Sequence, residues 1–441
     1  MKITFAGGAS EVTGANYVLE SGATRIMVDC GLHQGSGARE ESNWAPFAYD
    51  VSKIDALFIT HPHIDHIGRV PLLMKRGFRG KIYSTPPARD AAHELLLDSE
   101  HLLSGVADRA GVEPLYSSED VLRAMSVWHG IEYHRPVIVG DCTVTLYNAG
   151  HVLGSSSVLV LGADNKKILF SGDLGNNPAP LLGGKDMMPD ADYCLIESAY
   201  GNRIHEDLGK RRELLEDAIE DTVKNGGVLM IPTFALERTQ ELLAELDSLM
   251  DSGRIPAVPV YMDSLLTIRL TEIYKKHPDY LKAGTFDFTF KSLRITSTTE
   301  QSKAINMAPA PKIVIAGSGM SNGGRILHHE KNYLPDPKSM FLAIGYQAEG
   351  TLGRRILDGE KTVTIFGEDV PVRCKVRAIG GYSAHADQKQ LLEWIASGRE
   401  TLKRVFVVQG EAEASAALAQ KMRDEFALKA EVPEAGKTYE L

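Results

Sequence analysis

Residues 61–66 read His61-Pro62-His63-Ile64-Asp65-His66, directly after the apolar run Ala56-Leu57-Phe58-Ile59-Thr60. Three imidazoles and a carboxylate so close together cannot all enter a core, because buried His and Asp need partners to offset their desolvation. The run before them has the composition of a buried strand, so the cluster belongs on the loop leaving that strand's carboxyl end. Open α/β sheets carry their sites there. A loop that doubles back can aim His61 and His63 at one cation and Asp65 and His66 at a second. Imidazole and carboxylate suit zinc or a similar divalent metal. The chain must therefore fold as an α/β protein that gathers further ligands around this loop.

The rest of the chain supplies them. His151 ends Asn148-Ala149-Gly150-His151, Asp173 ends Phe170-Ser171-Gly172-Asp173, and Asp29 sits in Val28-Asp29-Cys30-Gly31. Each is a ligand type at a strand end, with glycine nearby to permit close backbone approach. Within the first 150 residues, short strands are expected at 2–6, 17–21, 25–29, 56–60, 81–84 and 143–148, and helices beginning near Ile67 and Ala88. After Asp173 the pattern becomes strand–helix alternation. Helices are expected at 206–225, stopping at Gly226-Gly227, at 236–250, and after Asp263 or Ser264 as N-cap. Strands are expected at 228–232, 259–262, 312–316 and 340–344. A further helix capped by Asp387, the strand Arg404–Val408 and a terminal helix close the chain. The block 202–375 reads as a parallel α/β unit inserted between 1–201 and 376–441.

With 441 residues, two or three compact units are expected, and 43% hydrophobic with 24% charged residues suits a globular protein. The opening Met1-Lys2-Ile3-Thr4-Phe5 reads as a strand rather than a leader, and no apolar run is long enough to span a membrane. Cys30, Cys142, Cys194 and Cys374 form no CxxC pair and read as small hydrophobes in a reducing cytoplasm. A net charge of −10 argues against broad adhesion to nucleic acid. It leaves room for a local site whose positive charge comes from bound cations.

The order Asp29, HxHxDH, His151, Asp173 resembles the metallo-β-lactamase superfamily. The resemblance extends through Leu195-Ile196-Glu197-Ser198-Ala199-Tyr200-Gly201, Gly227–Gln240, Gly345–Gly353 and Tyr382-Ser383-Ala384-His385-Ala386-Asp387, which are similar to signatures of its β-CASP branch. It is most evident toward bacterial and archaeal relatives of the eukaryotic pre-mRNA 3′-end endonuclease. It implies an αββα sandwich with an inserted parallel α/β domain, and a zinc-dependent hydrolase cleaving single-stranded RNA in the interdomain cleft by a metal-bound hydroxide. The cut would be endonucleolytic, with a 5′ exonucleolytic mode open. Two zinc ions per chain are implied, one on His61, His63 and His151, the other on Asp65 and His66, with Asp173 bridging. Asp65 would also serve the reacting water, and Asp29 would orient a ligand histidine. His385, held by Glu197, would protonate the leaving group.

The glycine-rich stretch Gly317–Gly324 with Ser318, Gly319 and Arg325, together with Ser383, is a candidate phosphate site. His33 follows Asp29 and would line the centre, whereas His328-His329 reads as surface helix. One departure stands out. RNA-processing members carry histidine where this chain has Gln409, and DNA-processing members an apolar residue. Gln409 offers only a neutral amide oxygen, so the second metal is expected to be weaker and to admit manganese. A thioesterase or lactonase, a DNA-directed nuclease, or a weakly active nucleic-acid-binding protein are the alternatives. No membrane partner is implied, and a homodimer is open to the chain.

Overall fold

The computed structural model describes every residue except 36–37, 206–207, 286, 346 and 349. Two compact units emerge: Met1–Ile204 together with His385–Leu441, and His205–Ala384.

The first unit holds two seven-stranded sheets. One runs, in spatial order, Thr438–Glu440, Lys2–Gly7, Asn16–Ser21, Thr24–Val28, Ala56–Phe58, Lys81–Ser84 and Trp128–Gly130. The other runs Ala430–Glu431, Arg404–Val408, Tyr193–Glu197, Lys167–Phe170, Ser156–Leu161, Cys142–Asn148 and Val137–Val139. Strand alternation explains why they pack as layers, since successive side chains leave opposite faces. Ile168 and Phe170 join Ile3, Phe5, Ile26, Phe58, Val144 and Phe406 in the core between the sheets. Leu169 points the other way, with Cys194, Ile196, Val405 and Val407, onto Leu391 and Ile395 of the helix Gln388–Ala396 and Leu418 and Met422 of the helix Ala412–Phe426. The expected αββα layering is present.

Local signals set the helices beside the first sheet. Thr85 caps Pro86–Ala110 by accepting from the Ala88 amide, with proline in the first turn, where no amide partner is needed. The helix expected near Ile67 is two short pieces, Ile64–Ile67 and Val70–Lys75. The chain does not finish in a helix. Its last element is the strand Thr438–Glu440, which pairs antiparallel with Lys2–Thr4, because Tyr439 packs its ring against Phe5 and Phe406.

The second unit is built on a six-stranded parallel sheet in the order Leu293–Ile295, Val260–Met262, Lys312–Ala316, Val228–Pro232, Met340–Ile344, Lys375–Ile379. Its inner strands are buried on both faces, hence their unbroken apolar runs. Lys375–Ile379 pairs with Met340–Ile344 over its full length. For that reason the chain returns to the first unit at His385 rather than near 375. Ser264, not Asp263, caps the helix Leu265–Lys276. The expected start of the helix Leu208–Asn225, and Tyr346 and Glu349 of the Gly345–Gly353 signature, lie outside the described residues.

Candidate metal centre

Every residue of the centre comes from the first unit, and most follow the carboxyl end of a strand. The HxHxDH loop is pinned by backbone bonds to the segment after Thr24–Val28 and to Ala15, just before the strand Asn16–Ser21. The Cys30 amide donates to the His66 carbonyl at 2.8 Å, Leu32 to Ile64 at 3.0 Å, and Ala15 to Asp65 at 2.9 Å. Gly31 allows this approach, since a Cβ there would lie 1.5 Å from the Asp65 carbonyl oxygen. The turn at His63 then starts the helix Ile64–Ile67, which carries Asp65 and His66.

Four donor atoms converge. His61 Nε2 is 3.0 Å from His63 Nδ1, and His151 Nε2 is 3.3 Å from the same atom. Asp173 Oδ2 lies 3.4 Å from His61 Nε2 and 3.5 Å from His151 Nε2. Zinc–ligand bonds of about 2.0–2.1 Å in a tetrahedron give ligand–ligand edges of about 3.3–3.4 Å. The observed 3.0–3.5 Å spacings fit that figure. The protonation states fit as well. Burial, reinforced by His61, holds the His63 imidazole well below its ordinary pKa, and burial with His385 does the same for His151. Neutral rings are what a metal requires. Burial works against ionising Asp173, but the imidazoles of His66, His61 and His385 outweigh it and hold the carboxyl well below the usual range.

Asp29 sits beneath this set, fully buried at φ +57°. It accepts from the Thr60 amide and from the Thr60 hydroxyl, each at 2.8 Å, and lies 2.8 Å from His66 Nδ1. Thr60 Oγ1 is in turn 3.1 Å from His61 Nδ1. Thr60 was not anticipated from sequence; its only signal is its place as the last residue before the cluster. Asp65 is further out. Its Oδ2 is 3.9 Å from His66 Nε2, and burial raises its carboxyl pKa. Gln409 turns its amide nitrogen inward, 2.8 Å from His66 Nε2 and 3.1 Å from Asp173 Oδ1. Its oxygen accepts from Tyr17, another residue without a sequence signal, at 3.3 Å.

His385 stands beside the four-donor set. Its Nδ1 lies 3.3 Å from Glu197 Oε1 and 3.8 Å from Asp173 Oδ2. Glu197 is fully buried and fixed by the Leu174 amide at 2.7 Å. Burial alone would lower the His385 pKa, but Glu197 and Asp173 overcome it and raise the ring to about 9. Because the side chain keeps 27% exposure, it can meet solvent or substrate. His33 instead pairs with Glu11 at 3.3 Å.

The glycine-rich candidate belongs to the second unit. Its Ser318, Ser321 and Asn322 amides are engaged within the loop, and a Cβ on Gly319 would strike the Phe234 ring at 2.7 Å. Arg325 is tied to buried Asp263 at 2.7 Å and to the Thr296 carbonyl at 3.2 Å. Ser383 is buried at the end of the same unit. His329 is not a surface residue. It is 1% exposed and pairs with Asp263 Oδ2 at 2.8 Å.

A sandwich of two sheets with a cluster of three histidines and an aspartate at its strand ends defines a metallo-hydrolase. Residues 10–206 match the metallo-beta-lactamase superfamily, 239–356 the Beta-Casp domain, and 369–433 the Zn-dependent metallo-hydrolase RNA specificity domain. The chain is 38% identical over 427 residues to "Ribonuclease TTHA0252" of Thermus thermophilus, covering 95% of each. It is 31% identical over 446 residues to "Transcription termination factor FttA" of Methanosarcina mazei, covering 96% of this chain and 69% of that protein. A crystal structure of a protein of unknown function from Enterococcus faecalis V583 superposes with a TM-score of 0.60 at 12% identity, covering 100% of this chain and 99% of that one. That likeness is one of fold. The chain belongs to the metallo-β-lactamase superfamily, in the branch that carries the Beta-Casp domain. Among the described residues, no helix is long and apolar enough to cross a membrane.

Proposed function

We propose that the protein is a metal-dependent ribonuclease that hydrolyses phosphodiester bonds of single-stranded RNA. The observation that carries this reading is the pairing of a four-donor set of tetrahedral spacing with a separate, carboxylate-held histidine beside it. The match of 369–433 to an RNA specificity domain and the ribonuclease name of one relative favour RNA over a small ester or thioester.

His61, His63, His151 and Asp173 would hold the cation, and zinc suits three imidazoles with one carboxylate. When bound, a divalent cation supplies positive charge to the scissile phosphate and makes a coordinated water acidic enough to ionise near neutral pH. Asp173 and Asp65 orient the attacking water. As the oxygen–phosphorus bond to the leaving group breaks, His385 delivers a proton to the departing oxygen, and Glu197 stabilises the protonated ring before transfer. Asp29 keeps His66 in place through Nδ1. The second cation expected on Asp65, His66 and Asp173 is the part of the scheme on which Gln409 bears. Four buried, free cysteines suit a reducing cytoplasm.

Purified protein incubated with labelled single-stranded RNA, the matching DNA, and ester and thioester substrates, with and without chelator, tests the reading. RNA cleavage lost on chelation and restored by zinc is expected. RNA cleavage that survives chelation, or faster turnover of an ester or of DNA, overturns it.

A further inference from the structure

Gln409 follows the strand Arg404–Val408 with φ +51°, is 4% exposed, and donates its backbone amide to the Gly8 carbonyl at 2.8 Å. A glutamine persists in this left-handed region only where its surroundings over-determine it, and such positions cluster at functional sites. The side chain shows what is being held. Nε2 lies 2.8 Å from His66 Nε2 and 3.1 Å from Asp173 Oδ1, while Oε1 accepts from the Tyr17 hydroxyl at 3.3 Å.

The chemistry of the partners orients the amide. Asp173 Oδ1, a carboxylate oxygen that only accepts, lies 3.1 Å from the amide nitrogen, and Oε1 accepts from the Tyr17 hydroxyl, so the nitrogen and not the oxygen faces the centre. The same nitrogen stands 2.8 Å from His66 Nε2. A carboxamide nitrogen carries two protons and is no ligand for a cation. The two atoms it covers are the ones a second cation would need. The four-donor set is unaffected, because it uses Asp173 through Oδ2. Among the described residues, the donor clusters with metal-binding spacing include neither Asp65 nor His66. The residues present therefore fit a metal on the four-donor set and do not fit the one expected on Asp65 and His66.

We propose that the Gln409 carboxamide replaces the second cation, donating to His66 and Asp173 where that ion would sit, so that the centre retains a single metal on His61, His63, His151 and Asp173. Gln409 is here a hydrogen-bond donor, not a weak ligand. The inference rests on the proposed reading of that four-donor set as a metal site.

The test is metal stoichiometry, read without reference to activity. Protein saturated with zinc and dialysed against a weak chelator is analysed for metal content, and zinc is titrated calorimetrically into the stripped protein. One zinc per chain is expected for the unsubstituted protein, with any second event at least about 100-fold weaker. Gln409→His exchanges the donor for a ligand and is expected to retain two; Gln409→Ala removes the donor and should strengthen the second event without matching the first. Two tightly held zincs in the unsubstituted protein overturn the proposal, as would occur if the amide rotated its oxygen onto the ion. A folded Gln409→His protein that still holds one also overturns it. If that variant does not fold, the unsubstituted stoichiometry and Gln409→Ala decide. No zinc at all in a folded unsubstituted protein overturns the metal-site reading itself, a result distinct from the other outcomes.

Discussion

Asp29→Asn isolates the contribution of one buried charge, because asparagine tolerates the left-handed backbone at this position as well as aspartate does (φ +57°). Oδ1 keeps its bond from the Thr60 amide. The perturbation falls on Oδ2, which accepts from the Thr60 hydroxyl at 2.8 Å and faces His66 Nδ1 at 2.8 Å. Hydrogen bonds to a charged group contribute about 1.5–3 kcal/mol each, neutral ones about 0.5–1.5 kcal/mol. Exchanging two of the first kind for two of the second therefore costs about 2–3 kcal/mol. At about 2–4 °C per kcal/mol for a unit of this size, the melting temperature of the first unit drops by roughly 4–12 °C. A second consequence follows from connectivity. The new Nδ2 donates where an oxygen accepted, so His66 must accept at Nδ1 and move its proton to Nε2. There it meets Gln409 Nε2, donor against donor, unless Gln409 turns its oxygen inward. Calorimetric unfolding measures the first effect, and nitrogen chemical shifts of the His66 ring report the tautomer. A melting temperature within about 1 °C of the parent, with the His66 proton still on Nδ1, would refute the reasoning.

His385→Ala should cut RNA cleavage by about 10²–10⁴-fold while leaving zinc content intact; a lost zinc in elemental analysis would show that His385 is a ligand and not the proton donor. In chelator-treated protein, His385 is raised from 6.5 to about 9. Its protonated form therefore adds stability that is complete below about pH 6.5 and lost as pH rises through 9, at most about 3 kcal/mol. Denaturant titrations across that window should show the slope, and His385→Gln should remove it. In the second unit, burial lifts Glu330 from 4.5 to about 8, and the Ser321 hydroxyl donating at 2.5 Å offsets this only in part. Stability of that unit should fall by up to about 4 kcal/mol between pH 4.5 and 8, and Glu330→Gln should flatten the curve; an unchanged slope would place the titration elsewhere.

The residues of the candidate centre are legible in the sequence because they mark the ends of apolar strands. Asp29 follows Thr24–Val28, His61 comes three residues after Ala56–Phe58, Glu197 ends Tyr193–Glu197, and Asp173 and Gln409 come just beyond Lys167–Phe170 and Arg404–Val408. Such a residue has no local partner to explain it, so its type is informative. Residues whose purpose lies in tertiary partners gave no such sign. His329 looked like surface because its helix is polar, while its partner Asp263 lies 66 positions earlier. Tyr17 reads as an ordinary strand aromatic, and only folding brings its hydroxyl to Gln409, 392 positions away. The closing strand Thr438–Glu440 is short, and its pairing with the first strand of the chain cannot be read from periodicity.

Thr60 ties together the loops that carry the residues of the candidate centre. Its carbonyl accepts from the Ser156 amide at 2.7 Å and from the Ser156 hydroxyl at 3.1 Å, so the HxHxDH loop of one sheet is bonded to the first residue of a strand in the other. Gly172, at φ +57°, passes so near that a Cβ there would lie 2.8 Å from Thr60 Cβ, and the next residue is Asp173. The His61 end of the centre and its carboxylate are thus fixed on opposite sheets by the same contact. Any slip of one sheet over the other must break the bonds at Thr60 and disturb the Phe58 and Phe170 packing directly behind them. The core that holds the sandwich together also sets the spacing of the four donors.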